Sequence, residues 1–136
     1  MIYVLDACAL IALFNIEPGA QKVRELLLRA ATGEITVYIN AVNLLEVYYD
    51  RIRIEGLEKA EQILQWVYSS AVEVLEIIPA PVIREAGRFK AAYDMSLADS
   101  LACATSSWLS AVLVSSDHGE LDAVEKDGGL KFLWIR

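Results

Sequence analysis

Four acidic residues stand where charge is hard to sustain: Asp6, Glu46, Asp99 and Asp117. Their neighbours are apolar or small, in the runs Leu5-Asp6-Ala7, Leu45-Glu46-Val47, Ala98-Asp99-Ser100 and Ser116-Asp117-His118. No Lys or Arg lies within three positions of any of them. Carboxylates that lose hydration and face one another must protonate, pair with a cation or bind a metal. Without basic side chains at hand, a hard divalent ion with oxygen ligands is the economical solution, and Mg²⁺ or Mn²⁺ suits a site of carboxylates and water. Such an ion can activate water and brace a phosphodiester during in-line displacement. The acids also have plainer readings. Asp6 and Asp117 can be helix caps, and Asp99 a first-turn acid favoured by the helix dipole. Taken together, with two of the four at the ends of predicted strands, they point to one shared site.

The elements that must position these residues are legible from periodicity. Short β-branched or apolar runs predict strands at 2–5, 35–39, 72–78, 111–114 and 131–135. Helical patterns fill the intervals at 7–14, 21–31 and 57–71. Another helix starts at Asn40 or Asn43, runs to about Ile54 and closes at Gly56. Pro79 and Pro81 open a helix to about Tyr93, and Ser96 is the expected N-cap of a helix over 97–110, with Asp99 at its third position. A short helix follows Asp117. The acidic alternation of 72–78 suits a sheet edge. Strand–helix alternation of this kind predicts a three-layer α/β/α fold with a central, mostly parallel sheet of about five strands. Ligands in such folds gather beyond the carboxyl ends of the strands, where strand order reverses. Asp6 and Asp117 both follow strands at that end.

The 136 residues suit a single domain over 1–136, and 56% hydrophobic residues exclude wholesale disorder. With 12 Lys and Arg against 19 Asp and Glu, the net charge of −7 argues against holding nucleic acid by bulk positive charge. It leaves room for a metal-dependent nuclease, whose site consumes acids. Cys8 and Cys103 are too few for a disulfide framework. Reduced thiols, the absence of a basic leader and the absence of a ~20-residue apolar span predict a cytoplasmic protein with no membrane segment.

Four blocks of sequence, in order, resemble the PIN domain family, close to the VapC-like toxins of bacterial and archaeal toxin–antitoxin pairs. They are Tyr3-Val4-Leu5-Asp6-Ala7-Cys8-Ala9-Leu10, Ala41-Val42-Asn43-Leu44-Leu45-Glu46-Val47-Tyr48-Tyr49, Ser96-Leu97-Ala98-Asp99-Ser100-Leu101-Ala102-Cys103-Ala104 and Val112-Leu113-Val114-Ser115-Ser116-Asp117-His118-Gly119-Glu120-Leu121. The resemblance implies a PIN-like fold and an endoribonuclease that hydrolyses RNA with Mg²⁺ or Mn²⁺. Asp6, Glu46, Asp99 and Asp117 match the family's acidic quartet. Asp6 and Asp99 would be metal ligands, Asp117 a ligand directly or through water, and Glu46 the residue that positions or deprotonates the attacking water. Ser115 stands where the family often carries Thr and would orient Asp117. Ala7-Cys8 replaces a Ser or Thr pair that often follows the first acid. Glu120 or Asp122 would be an extra outer acid, with Asp122 the better candidate for simple solvation. The resemblance also implies a homodimer and an antitoxin protein, whose apolar segment would lie in a groove of the helical region around Tyr48, Tyr49, Trp66 and Val67.

Other signals are weaker. His118 with Ser115 and Asp117 does not make a hydrolase triad, because triad members converge from separated elements. Cys8, Cys103 and His118 lack zinc-site spacing, so the thiols read as small core fillers. Gly128-Gly129 is a turn without a phosphate-loop pattern. Arg51, Arg53, Arg84, Arg88 and Lys90 are read either as a path for an RNA backbone or as surface ion pairs. The rival to catalysis is a non-catalytic binding module acting through its helical surface.

Overall fold

A computed structural model describes residues 1–136. The chain runs β1 (Ile2–Leu5), α1 (Ala7–Asn15), α2 (Ala20–Ala31), β2 (Thr36–Asn40), α3 (Ala41–Glu55), α4 (Leu57–Ser69) and β3 (Val72–Leu75). It continues through α5 (Ala80–Ala92), α6 (Leu97–Trp108), β4 (Val112–Ser115), α7 (His118–Lys126) and β5 (Lys131–Trp134). The five strands form one sheet in the order β3-β2-β1-β4-β5, and every pairing is parallel. The chain moves outward from β1 through β2 and β3, then returns past β1 to lay down β4 and β5. The reversal therefore falls between β1 and β4, the strands that end just before Asp6 and Asp117.

Alternation along the strands divides the apolar side chains between two layers. Leu5, Val37, Ile39 and Val114 pack with Leu10, Val23, Val47 and Val67 from α1, α2, α3 and α4. Val4 and Leu113 turn the other way, against Ala102 and Cys103 of α6 and Leu121 and Val124 of α7. Helix α5 lies outside α6, with Val82 and Ala86 against Leu101 and Ala104. The small residues of α6 matter here, because they let that helix pack closely on both the sheet and α5.

The expected elements all form, with shifted ends. β3 stops at Leu75, short of 78. Ile77 is 81% exposed, and Pro79 restricts Ile78 and cannot donate to a ladder. β2 extends to Asn40, which pairs with Leu75 and also caps α3. β4 extends to Ser115, the register partner of Trp134. Ser96 caps α6 as expected, and Gly56 closes α3 at φ 92°.

One glycine is required by both conformation and space. Gly19 opens α2 at φ 99°, and a Cβ there would lie 2.6 Å from the Ile135 carbonyl oxygen, just beyond β5. Gly19→Ala is expected to cost about 2–3 kcal/mol, combining left-handed strain with displacement of the chain after β5. Gly33→Ala has the same handedness problem at φ 79° but open space around it, so its cost is expected to stay near 1 kcal/mol. Denaturant unfolding of both variants checks the difference.

Candidate active site

Parallel topology brings the starts of four helices to the end of the sheet where β1 and β4 finish. The backbone N–H of Asp6 donates to the Val114 carbonyl at 3.2 Å, which extends the β1–β4 pairing by one residue. The Asp6 side chain, wholly buried, caps α1 by accepting from Ala9 N–H at 2.9 Å. Its other oxygen accepts from the Ser115 hydroxyl. That same hydroxyl oxygen accepts from Asp117 N–H at 3.0 Å. One serine thus fastens the two strand ends together, and it orients Asp117 through the backbone. Asp117 in turn caps α7 through Glu120 N–H at 3.3 Å.

Asn43 ties in the remaining helices. Wholly buried, it accepts from Ala7 N–H at 3.2 Å and donates to the Ala98 carbonyl at 3.3 Å. Its own N–H is capped by the Asn40 side chain at 2.9 Å. The starts of α1, α3 and α6 are pinned to one another by this amide. Ser96 receives the Asp99 N–H at 3.1 Å, and the Ser96 N–H donates to a Glu120 carboxylate oxygen at 3.2 Å, which joins α6 to α7. Helix N-termini carry partial positive charge, and these helices turn it toward one crevice.

Carboxylate oxygens of Asp99, Asp117 and Glu120 all lie within 4.8 Å of one another in that crevice. Asp99 is 6% exposed, and its Oδ2 is buried with no hydrogen-bond partner. Burial, then contact with the Glu120 carboxyl and the charge of Asp6, push the Asp99 carboxyl well above the usual carboxylate range. Glu120 moves down, because contact with the Asp99 carboxyl favours its charged form. Burial raises Asp6 to about 7 against the opposing bonds from Ser115 and Ala9, and Asp117 and Glu46 add repulsion. Glu46, half-buried on α3, is raised by burial and then by the charges of Glu120 and Asp117, so it faces the same cluster. Cys8 is partly buried beside the acids, and Cys103 is buried below them. Burial first, then acid repulsion, raises both thiols, Cys103 to about 12, so neither acts as a nucleophile.

These residues fit a divalent cation. The donors are all hard oxygens, one of them lacks any partner, and the cluster must otherwise carry protons to exist. Two oxygens on opposite sides of a Mg²⁺-sized ion stand about 4.2 Å apart, comparable to the span of the three carboxylates. The structure brings Asp99 and Asp117 together with Glu120. Asp6 is anchored by Ser115 and Ala9 beside them, and Glu46 faces the group from α3. Glu120 has one sequence signal, its position three residues after Asp117, which is capping-box spacing. Asn43 shows in the sequence only as a possible helix cap.

The other singled-out residues have ordinary roles or lie apart. Asp122 is exposed and contacts His118 Nδ1 at 2.7 Å. Arg51 is 1% exposed and clamped by Asp50 at 2.9 Å, Glu55 at 3.4 Å and Asn15 at 2.7 Å, so it lines no surface path. Arg88 pairs with Glu85 at 2.6 Å, and Lys90 donates to the Met95 carbonyl.

The PIN domain model matches residues 3–127. The chain belongs to the PIN domain family. Among solved structures, this PIN fold superposes on a chain of VapBC2 from Rickettsia felis, bound to a promoter DNA fragment. The TM-score is 0.76 at 19% identity, over 98% of each chain. It superposes equally on a chain of DNA-bound VapBC from Salmonella typhimurium, with TM-score 0.76 at 15% identity, over 100% of this chain and 99% of that one. VapC20 of Mycobacterium tuberculosis, a toxin that cleaves the sarcin–ricin loop, aligns with TM-score 0.69 at 17% identity, over 90% and 95% of the two chains. No curated protein matches the sequence. No helix is long and apolar enough to cross a membrane.

The raised carboxylates have a thermodynamic consequence. Between the unfolded carboxylate pKa near 4 and the native value of about 7 for Asp6, the native state binds more protons than the unfolded chain, so stability falls as pH rises. Asp99 carries the same trend to higher pH. In EDTA the melting temperature is therefore expected to drop from about pH 5 to about pH 8. Asp99→Asn should flatten that slope and raise the metal-free melting temperature at the alkaline end. Thermal melts of both proteins across this range check it.

Proposed function

We propose that this PIN domain is an endoribonuclease dependent on Mg²⁺ or Mn²⁺, the toxin of a toxin–antitoxin pair. The observation that carries the reading is the buried, unpartnered Asp99 oxygen beside Asp117 and Glu120, at the point where strand order reverses. Asp99, Asp117 and Glu120 would hold the ion, with Asp6 adding charge from beneath. When bound, the ion supplies neutralising charge to a phosphodiester and acidifies water. Glu46, half-buried on α3, accepts a proton from the attacking water as a general base. The water oxygen bonds to phosphorus as one phosphorus–oxygen ester bond breaks, and the leaving oxygen takes a proton from solvent water. Asp6, Ser115 and Asn43 fix the geometry, and the helix N-termini favour an anionic backbone.

The neighbouring structures support the biological half of the reading: VapBC of Rickettsia felis and of Salmonella typhimurium were solved as DNA-bound assemblies, and VapC20 cleaves an RNA loop. An apolar groove supports an antitoxin partner, although of Tyr48, Tyr49, Trp66 and Val67, around which it was expected, only Trp66 lines it. A groove of about 550 Å³ lies between α1, α2 and α4, lined by Leu13, Phe14, Leu27, Leu28 and Trp66. Trp66 stands edge-on to Phe14 at 5.6 Å and stays 43% exposed, so it offers a pocket wall to an apolar side chain.

Purified protein is expected to cleave a pool of structured and single-stranded RNA with Mn²⁺ or Mg²⁺ and to stop in EDTA. Glu46→Gln should lower kcat by about 10²–10⁴-fold while metal binding persists. Asp99→Asn should remove both activity and the metal-induced rise in melting temperature. An Asp99→Asn protein that cuts like wild type would overturn the mechanism. Trp66→Glu should weaken capture by the cognate antitoxin at least tenfold, read by titration, and leave RNA cleavage by the free toxin intact.

A further inference from the structure

His118, the chain's one histidine, directly follows Asp117 and is not used by the reaction above. Its ring stacks on Trp134 with centroids 3.8 Å apart and planes inclined by 21°. Trp134 stacks in turn on Phe132, at 4.9 Å and 4°. Trp134 is the register partner of Ser115, the residue that holds Asp6. Register partners on adjacent parallel strands project to the same face, and the strands lie about 4.8 Å apart. The three-ring ladder therefore stands one strand over from the Asp6–Ser115 pair, on the face that carries α6 and α7.

The polar edges of His118 and Trp134 are occupied. His118 Nδ1 lies 2.7 Å from Asp122 Oδ1, and Nε2 lies 2.8 Å from the Arg136 carbonyl. Trp134 Nε1 donates to Glu125 at 2.9 Å. No ring nitrogen of His118 is free for metal ligation or proton transfer. What it still offers is ring surface: the side chain is 46% exposed although one face is covered. A rigid aromatic face beside a phosphodiester site suits a flat, uncharged aromatic group. Asp122 and Glu125 flank the ladder and repel a second phosphate, but not a neutral base.

We propose that His118, backed by Trp134 and Phe132, is a stacking platform for an unpaired base of the RNA strand next to the scissile phosphate. The assignment rests on the nuclease reading and names residues that grip the substrate. A base can stack there only when it is released from pairing. Stacking tolerates any base, so the platform selects unpaired geometry more than sequence.

The test uses a short single-stranded RNA with a mapped cut and a series of abasic substitutions around it. His118→Ala is expected to raise KM about tenfold, with a smaller effect on kcat, as loss of one base–aromatic stack predicts. His118→Phe, which keeps a ring but loses both hydrogen bonds, should restore most of the affinity. An abasic site at one position beside the cut should raise the wild-type KM similarly and add little in His118→Ala. Independently of turnover, 2-aminopurine at that position should be quenched on binding to Glu46→Gln, and not on binding to the protein that also carries His118→Ala. Wild-type KM in His118→Ala, no rescue by Phe, or additive abasic and Ala effects would each overturn the platform and leave the nuclease standing. No metal-dependent cleavage by the wild type would overturn the nuclease, and the platform with it.

Discussion

Burying a carboxylate costs several kcal/mol unless something answers its charge. Here Asp6 is wholly buried, and Asp99 is nearly so beside Asp117 and Glu120. The chain supplies partial answers from every side. Helix starts point inward, and the Ser115 hydroxyl and the Ala9 amide bind Asp6. None of these reaches Asp99 Oδ2. Because the remaining deficit is of positive charge, the cluster makes chemical sense around a divalent ion, and the PIN fold can be read as the frame that concentrates it.

The frame follows from topology. A parallel sheet needs crossover helices, and each crossover that follows a strand starts at the same end of the sheet. Those starts need caps. Asp6 caps α1, Asn40 caps α3 and Asp117 caps α7, each directly after a strand, and Ser96 caps α6, which comes after α5 and leads into β4. Asp117 completes α7 and also places an oxygen in the acid cluster, while Asp6 completes α1 and lies buried beside that cluster. Asn43 and Ser115 make the arrangement rigid, since each bonds groups on two other elements.

Much of this was legible beforehand, for reasons that can be named. Strands β1 and β2 and the tight α6 helix show as apolar or small-residue runs, and Asp6, Glu46, Asp99 and Asp117 stand out because no basic residue accompanies them. Glu120 was harder, since it shares the short helix α7 with Asp122 and Glu125, and nothing local in the sequence tells a site acid there from a solvated one. Asn43 acts through bonds to Ala7 and Ala98, and no local pattern reports a partner so far away in the chain. Arg51 carries the usual surface signature and is nevertheless buried, held by Asp50, Glu55 and Asn15. The His118–Trp134 stack joins α7 to β5, so it exists only once the sheet has formed.

The most direct test of the central claim is anomalous diffraction at the manganese edge from crystals of the wild-type protein soaked in Mn²⁺. The account predicts a peak about 2.1–2.3 Å from oxygens of Asp99 and Asp117, with the Asp99 Oδ2 among its ligands. A well-diffracting soaked crystal with no peak in that crevice, or with manganese only at other surface acids, would contradict it.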